Sequence, residues 1–186
     1  MTGEFAVFAA PQRVFQLLGL CTPFWESKLE DRSGERLEYI PGCARLSIQR
    51  GHIELLLEHQ FFEYLADQKH QTLTVFEQPS GIYFRAELPE TPFTRELVKA
   101  IDRGVIRHLC NHGTTHTKQS TEPNLWSVYA YDIHEISLLV SSAPCFASTW
   151  VMRDGLEARQ RIADADARCL EWYQRKLKPA ETVSIG

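Results

Sequence analysis

The chain has 186 residues, 44% hydrophobic and 24% charged, with a formal net charge of −4. That size and balance suit one globular domain with a real core and an appended helix or tail. Acids and bases are interspersed without a basic face, which argues against a nucleic-acid partner, and no apolar run approaches the ~20 residues of a membrane span.

The N-terminal "MTGEFAVFAAPQR" has an acid where a secretory leader would carry positive charge, and its apolar stretch is short. The chain is therefore expected to stay in the compartment where it is made. "VFQLLGLCTPF" (14–24) reads as a strand buried on both faces. "WESKLEDRSGER" is polar and turn-forming. "LEYIPGCARLSIQRG" combines a short strand, a Pro-Gly break and about two turns of helix ending near Gly51. "IELLLEH" (53–59) reads as a buried strand. "TLTVFEQPSGIYFRAELP" is the clearest hairpin, turning at Pro79-Ser80-Gly81, with Ile82, Phe84, Ala86 and Leu88 alternating in its second strand.

"ETPFTRELVKAIDRG" predicts a helix: Thr91 as N-cap, Pro92 at the first position, Gly104 in the left-handed role after the end. Its apolar stripe is Phe93, Leu97, Ala100 and Ile101. "VIRHLC" is expected to be a strand, followed by the irregular "NHGTTHTKQSTEPN"; "LWSVYAY" and "DIHEISLLVSS" read as two further strands. A helix over 154–177 places Leu156, Ile162, Ala163, Cys169, Leu170, Tyr173 and Leu177 on one broad face, interrupted by Arg159 and Asp166, with Trp172 off the stripe. It suits packing on the sheet or a homodimer contact. Residues 178–186 read as a flexible tail, leaving 1–177 as one domain. Strands dominate and neighbours can pair as hairpins, so the expected fold is α+β, a mostly antiparallel, barrel-like sheet with one inserted helix and a C-terminal helix.

Five cysteines (Cys21, Cys43, Cys110, Cys145, Cys169) are odd in number and lack paired spacing. In a reducing cytosol most are expected to be small buried hydrophobes. The stretch "HLCNHGTTH" (108–116) concentrates three histidines and a cysteine. On a strand, His108, Cys110 and His112 share a face, and with His116 they offer four nitrogen and sulfur ligands to zinc. The spacing matches no established zinc motif. A nucleophile beside a base, or a solvated polar strand end, fits the same residues.

Taken in order, "LGLCTPF…GERLEYIPGCARLSI", "ELLLEHQ", "SGIYFRAELPETPFTRELVKAIDRGVIRHLC" and "YDIHEISLLVSSAPCFAS" resemble the prohead (capsid maturation) proteases of tailed phages, over about residues 18 to 150. That family opens with a Gly-Tyr-Ala-like strand and a Pro-Gly-Ala-Phe turn. It continues with an apolar run ending Asn-His-Asp and a "GL.F.A.LP.T" strand into a helix. A Gly-x-Ser-x-Gly-Phe strand and a "DL.EVSLV..PA" strand follow.

The resemblance implies a serine-type endopeptidase with a fold like the herpesvirus assembly proteases, acting without a cofactor. It would work inside the prohead in the cytoplasm of the bacterial host. Its substrate would be scaffold or the scaffold-like part of the major capsid protein. The family's histidine falls on His59, its nucleophilic serine on Cys110 and its acidic position on Glu135.

A thiol beside a histidine is a competent nucleophile, because an adjacent imidazolium favours the thiolate. The same Cys110 also reads as a small buried residue in a copy that has lost activity. His108 and His112 stand where the family has glycines, and imidazoles there would crowd an oxyanion site. His59 reads either as a general base or as a strand-end histidine bonded to backbone. Glu135 either holds the tautomer of His59 or is an exposed strand acid. His134 would need a bulge to serve the same site. Three functions follow: a capsid-maturation endopeptidase with Cys110, His59 and Glu135 as its site; a catalytically degenerate member that binds scaffold during capsid assembly; and a zinc-stabilised module.

Overall fold

The structure, a computed structural model, describes residues 13–29 and 35–177. The expectations for residues 1–12, for positions 30–34 of the polar turn-forming segment and for the tail 178–186 lie outside the described residues. Two sheets pack on a common core. In the first, β1 (Val14–Pro23), β6 (Leu73–Gln78), β7 (Gly81–Pro89) and β10 (Trp150–Arg153) lie in the order β10-β1-β7-β6, all antiparallel. β1 explains its own apolar run. Leu17 and Cys21 enter the main core, while Leu18 and Leu20 face a second cluster with Tyr83, Trp150 and Ala158. A central strand covered on both faces has no polar side to display.

The second cluster is where α3 (Leu156–Leu177) docks. Asp166 accepts from the Ser80 N–H at 3.0 Å and the Cys169 thiol donates to the Pro79 carbonyl at 3.0 Å, so the helix is tied to the β6–β7 turn. Trp172 lies 5.5 Å from Trp25, ring centre to ring centre. The docked face is thus Ala158, Ile162, Asp166, Cys169, Trp172 and Tyr173. Leu156 and Leu170 are exposed, so the predicted stripe was rotated. Asp166 and Trp172, which the apolar pattern set aside, are anchors because they find specific partners.

The second sheet contains β2 (Ser27–Leu29), β3 (Arg36–Tyr39), β4 (Glu54–Leu57), β5 (Gln60–Asp67), β8 (His108–Gln119) and β9 (Leu125–Leu139). It is mixed: β3 and β4 both run parallel to β9, while β2–β3, β4–β5 and β8–β9 are antiparallel. Neither sheet closes on itself among the described residues, so the α+β class stands and the barrel does not appear. The stretch read as irregular after Cys110 continues as β8, and the two strands read from "LWSVYAYDIHEISLLV" are one 15-residue β9. Its partner β8 is polar beyond Gly113 because it projects past the core, where pairing rather than burial holds it.

Between them, α1 (Arg45–Arg50) ends at Gly51 in the left-handed conformation. α2 (Pro92–Asp102) carries a capping box in which Thr91 and Thr94 bond reciprocally. It buries Thr94, Leu97, Val98 and Ile101, leaving Phe93 in solvent.

Candidate active site

β9 is the frame that places the three candidate residues: it carries Glu135, pairs with β8, which carries Cys110, and pairs with β4, which leads to His59. Ile136 and Leu138 belong to the main core, so Glu135 and Ser137 face the opposite side of the sheet. On β8, Leu109 is in the core and Asn111 bonds the Cys21 carbonyl and the Tyr131 hydroxyl. His108, Cys110 and His112 therefore share the outer face with Glu135 and Ser137. The register agrees: Cys110 lies opposite Ser137 and His112 opposite Glu135. The next pair is Gly113 with Ile133, which leaves His134 as an extra residue, a β-bulge. The bulge is the one the sequence required for His134 to join this face. Its ring stands 6.1 Å from that of His112.

His59 arrives by a different route. β4 and β5 are joined by a two-residue turn, Glu58-His59, between the paired Leu57 and Gln60. Both residues have positive φ, 51° and 63°. A turn of this kind matches the twist of a hairpin and ordinarily uses Asn-Gly. A β-carbon in that region costs on the order of 1 to 3 kcal/mol per residue, so other contacts must hold it.

They are present. The Glu58 carboxylate accepts from the N–H groups of Val140, Ser141 and Ser142 and from the Ser142 hydroxyl at 2.5 Å. Burial works against its ionised form, but the Ser142 hydroxyl and then the backbone donors outweigh that and bring its pKa down to about 2. The Glu58 N–H donates to the Leu138 carbonyl at 2.9 Å. The His59 N–H donates to the Ser137 hydroxyl at 3.1 Å.

The turn folds the imidazole back over the sheet. Leu57 is level with Leu138, so an extended continuation would carry His59 away from Glu135. Instead His59 Nδ1 lies 2.5 Å from Glu135 Oε1. Glu135 Oε2 accepts from the Ser137 hydroxyl at 2.9 Å. A carboxylate partner assigns the proton to Nδ1 and leaves the Nε2 lone pair as the basic one. The Glu135 side chain is 6% exposed and that of His59 is 37% exposed. The carboxylate is thus shielded while the imidazole is reachable. Of the two readings for Glu135, an exposed strand acid is excluded.

Cys110 is buried, and its sulfur is bonded to Cys145, with Cα atoms 5.4 Å apart. Cys145 lies in the segment between β9 and β10, beside Phe146, which is itself in the core. The cysteine spacing did not signal this pair; the expectation was that most of the five are small buried hydrophobes. Cys21 and Cys43 fit that reading. Both are buried, and desolvation raises each thiol to about 12, assisted at Cys43 by the charge of Glu77.

His108 turns its Nδ1 toward the Thr149 carbonyl at 3.1 Å. His112 and His116 are exposed. Among the described residues no group of three or more His, Cys, Asp or Glu side chains is placed to hold a metal ion. A cavity of about 490 Å³ lies between β1 and α3, lined by Trp25, Trp150, Arg161 and Trp172, and includes none of the three candidate residues.

Sequence reasoning missed Ser137, Glu58 and Cys145. The available signal is the alternation of a strand, which puts Ser137 on the same face as Glu135 two positions before it. Nothing local marks Glu58 or Cys145, because their partners lie 82 and 35 positions away.

A family model described as "Caudovirus prohead serine protease" matches residues 24–161. No curated protein and no solved structure matches the chain.

Proposed function

The chain belongs to the caudovirus prohead serine protease family, and from that premise we propose that it is an endopeptidase of capsid maturation in which Cys110 occupies the place of the serine. Its substrate is scaffold or the scaffold-like part of the major capsid protein, cut inside the prohead in the host cytoplasm. The observation that carries the reading is the His59–Glu135 contact, made by two residues 76 positions apart, on the same sheet face as Cys110.

The chemistry follows from the protonation pattern. His59 Nε2 takes the Cys110 thiol proton, and the thiolate attacks the scissile carbonyl. The tetrahedral intermediate collapses with cleavage of the C–N bond, and the imidazolium returns the proton to the leaving amine. Water, deprotonated by His59, then releases the acyl group and regenerates the thiol. Glu135 keeps the ring in the productive tautomer and stabilises the imidazolium.

This cycle needs the thiol, so the bridge to Cys145 is the resting form. A dithiol reductant supplies two electrons and two protons, breaking the S–S bond to two thiols and becoming a disulfide itself. Among the described residues β8 pairs with β9 alone, and its outer edge offers backbone groups to an extended peptide. Exposed Phe61, Phe62 and Tyr64 on β5 add apolar surface beyond His59.

The experiment is co-expression of the Cys110→Ala chain with its capsid protein. Loss of processing is expected; processing at the normal rate would refute the assignment. A second reading, a non-catalytic scaffold-binding member, is favoured by the bridged sulfur and by His108 and His112 in place of glycines. Alkylation of the reduced protein separates the two. Rapid labelling of Cys110 with an inflection below free cysteine supports the enzyme, and an inert thiol supports the binder. No helix among the described residues is long and apolar enough to cross a membrane.

A further inference from the structure

Ser137 is fully buried, 0% exposed, with Ile136, Leu138 and Leu139 as its neighbours along β9. A hydroxyl in such a place is unfavourable unless its hydrogen bonds are made. Here both are made to the same pair of residues. The oxygen accepts the His59 N–H at 3.1 Å and the proton goes to Glu135 Oε2 at 2.9 Å.

We propose that Ser137 is a positioning residue for the reaction, a single hydroxyl that fixes both the backbone of the base and the rotation of its orienting carboxylate. This rests on the reading of His59 as base and Glu135 as its orienter. Glu135 has two oxygens and His59 engages only one. The other, if left free, would allow the carboxyl plane to rotate and Oε1 to leave Nδ1. Ser137 occupies Oε2 and so fixes that plane. The same oxygen satisfies the N–H of a residue held at φ 63°, a conformation that needs outside contacts to persist. One side chain thus sets where the ring starts and where its partner ends. Neither bond touches substrate, so the effect is on geometry in the turnover step and not on binding.

The test uses the full chain under a dithiol reductant, with thermal unfolding recorded for each variant. In Ser137→Ala, kcat for cleavage of the capsid protein is expected to fall about ten- to a hundredfold, with KM changed less than about threefold, as small misplacements of catalytic groups do. Ser137→Thr, which keeps the hydroxyl, is expected to recover most of kcat. Proton NMR supplies a readout that needs no turnover. The downfield His59 Nδ1–H resonance, protected by Glu135, is expected to broaden through solvent exchange in Ser137→Ala and to persist in Ser137→Thr.

Should the alanine variant not fold, Ser137→Cys keeps the volume with a weak donor and acceptor and carries the same expectation. A folded Ser137→Ala protein whose Nδ1–H resonance and kcat both match the wild type overturns the proposal. Undiminished cleavage by Cys110→Ala would overturn the site assignment instead, and leaves the resonance experiment to judge Ser137 by itself.

Discussion

Replacing Glu135 by glutamine isolates the charge of the orienting group from its shape. The amide oxygen can still take the proton from His59 Nδ1, now 2.5 Å from Oε1. The amide nitrogen replaces Oε2 and donates to Ser137, whose oxygen can accept from it and from the His59 N–H together. One hydroxyl proton is then stranded, a stability cost of about 1 kcal/mol. The loss in turnover is larger. When His59 becomes an imidazolium, the carboxylate stabilises it across roughly 4 Å between charge centres, worth about 4 kcal/mol at an effective dielectric of ~20. Removing that stabilisation predicts about a thousandfold lower kcat/KM. The assay is single-turnover cleavage of the purified capsid protein by reduced Glu135→Gln enzyme, beside wild type and Cys110→Ala. A rate within about threefold of wild type, with Cys110→Ala dead, would show that the carboxylate does not support the imidazolium and would refute this account of the pair.

Three further predictions concern other groups of the molecule. Oxidised protein is expected to be inactive until a dithiol is added, and Cys145→Ser is expected to be active without one; full activity of the bridged form would contradict the thiol mechanism. Mass spectrometry after brief alkylation should find Cys21 and Cys43 unlabelled, given thiols near 12. Glu58 is held at about 2 against an ordinary 4.5. A lowered carboxylate contributes stability that is complete above about pH 4.5 and is lost as the pH falls through 2. Wild type should therefore lose stability across that window relative to Glu58→Gln, by about 1 kcal/mol once solvent screening is allowed for. Parallel unfolding curves for the two proteins from pH 5 to 2 would count against the turn anchor.

The elements that sequence reading recovered are those whose signals are local. Pro79-Ser80-Gly81 forces a turn wherever it stands, and the Thr91 cap with Pro92 declares a helix start within four residues. β8 was legible only to Cys110, because beyond it polar residues pair with β9 without burying a face, and a periodicity sensor sees nothing there. β9 looked like two strands because its bulges at Tyr129 and His134 break the alternation. Parallel pairing of β3 and β4 with β9 depends on distant contacts that leave no mark in either segment. For the site, family resemblance pointed to His59, Cys110 and Glu135. It could not indicate that a Glu-His dipeptide would take a conformation favouring Asn-Gly, since composition argues the reverse. The bridge to Cys145 was invisible for a related reason: an odd count of cysteines gives no pairing, and only the path of the β9–β10 segment brings these two together.

The placement of β9 between its neighbours has a consequence for how such a site can change over time. Leu56, Ser137 and Cys110 form one row across three adjacent strands, so the hairpin that carries His59 and the strand that carries Cys110 are held two inter-strand repeats apart, about 10 Å. That interval belongs to the ladder of main-chain bonds and owes nothing to which side chain occupies position 110. A lineage can therefore exchange oxygen for sulfur at that position, or admit imidazoles beside it, without redrawing the distances of the scaffold. Chemical identity is free to drift on a grid whose spacing is inherited.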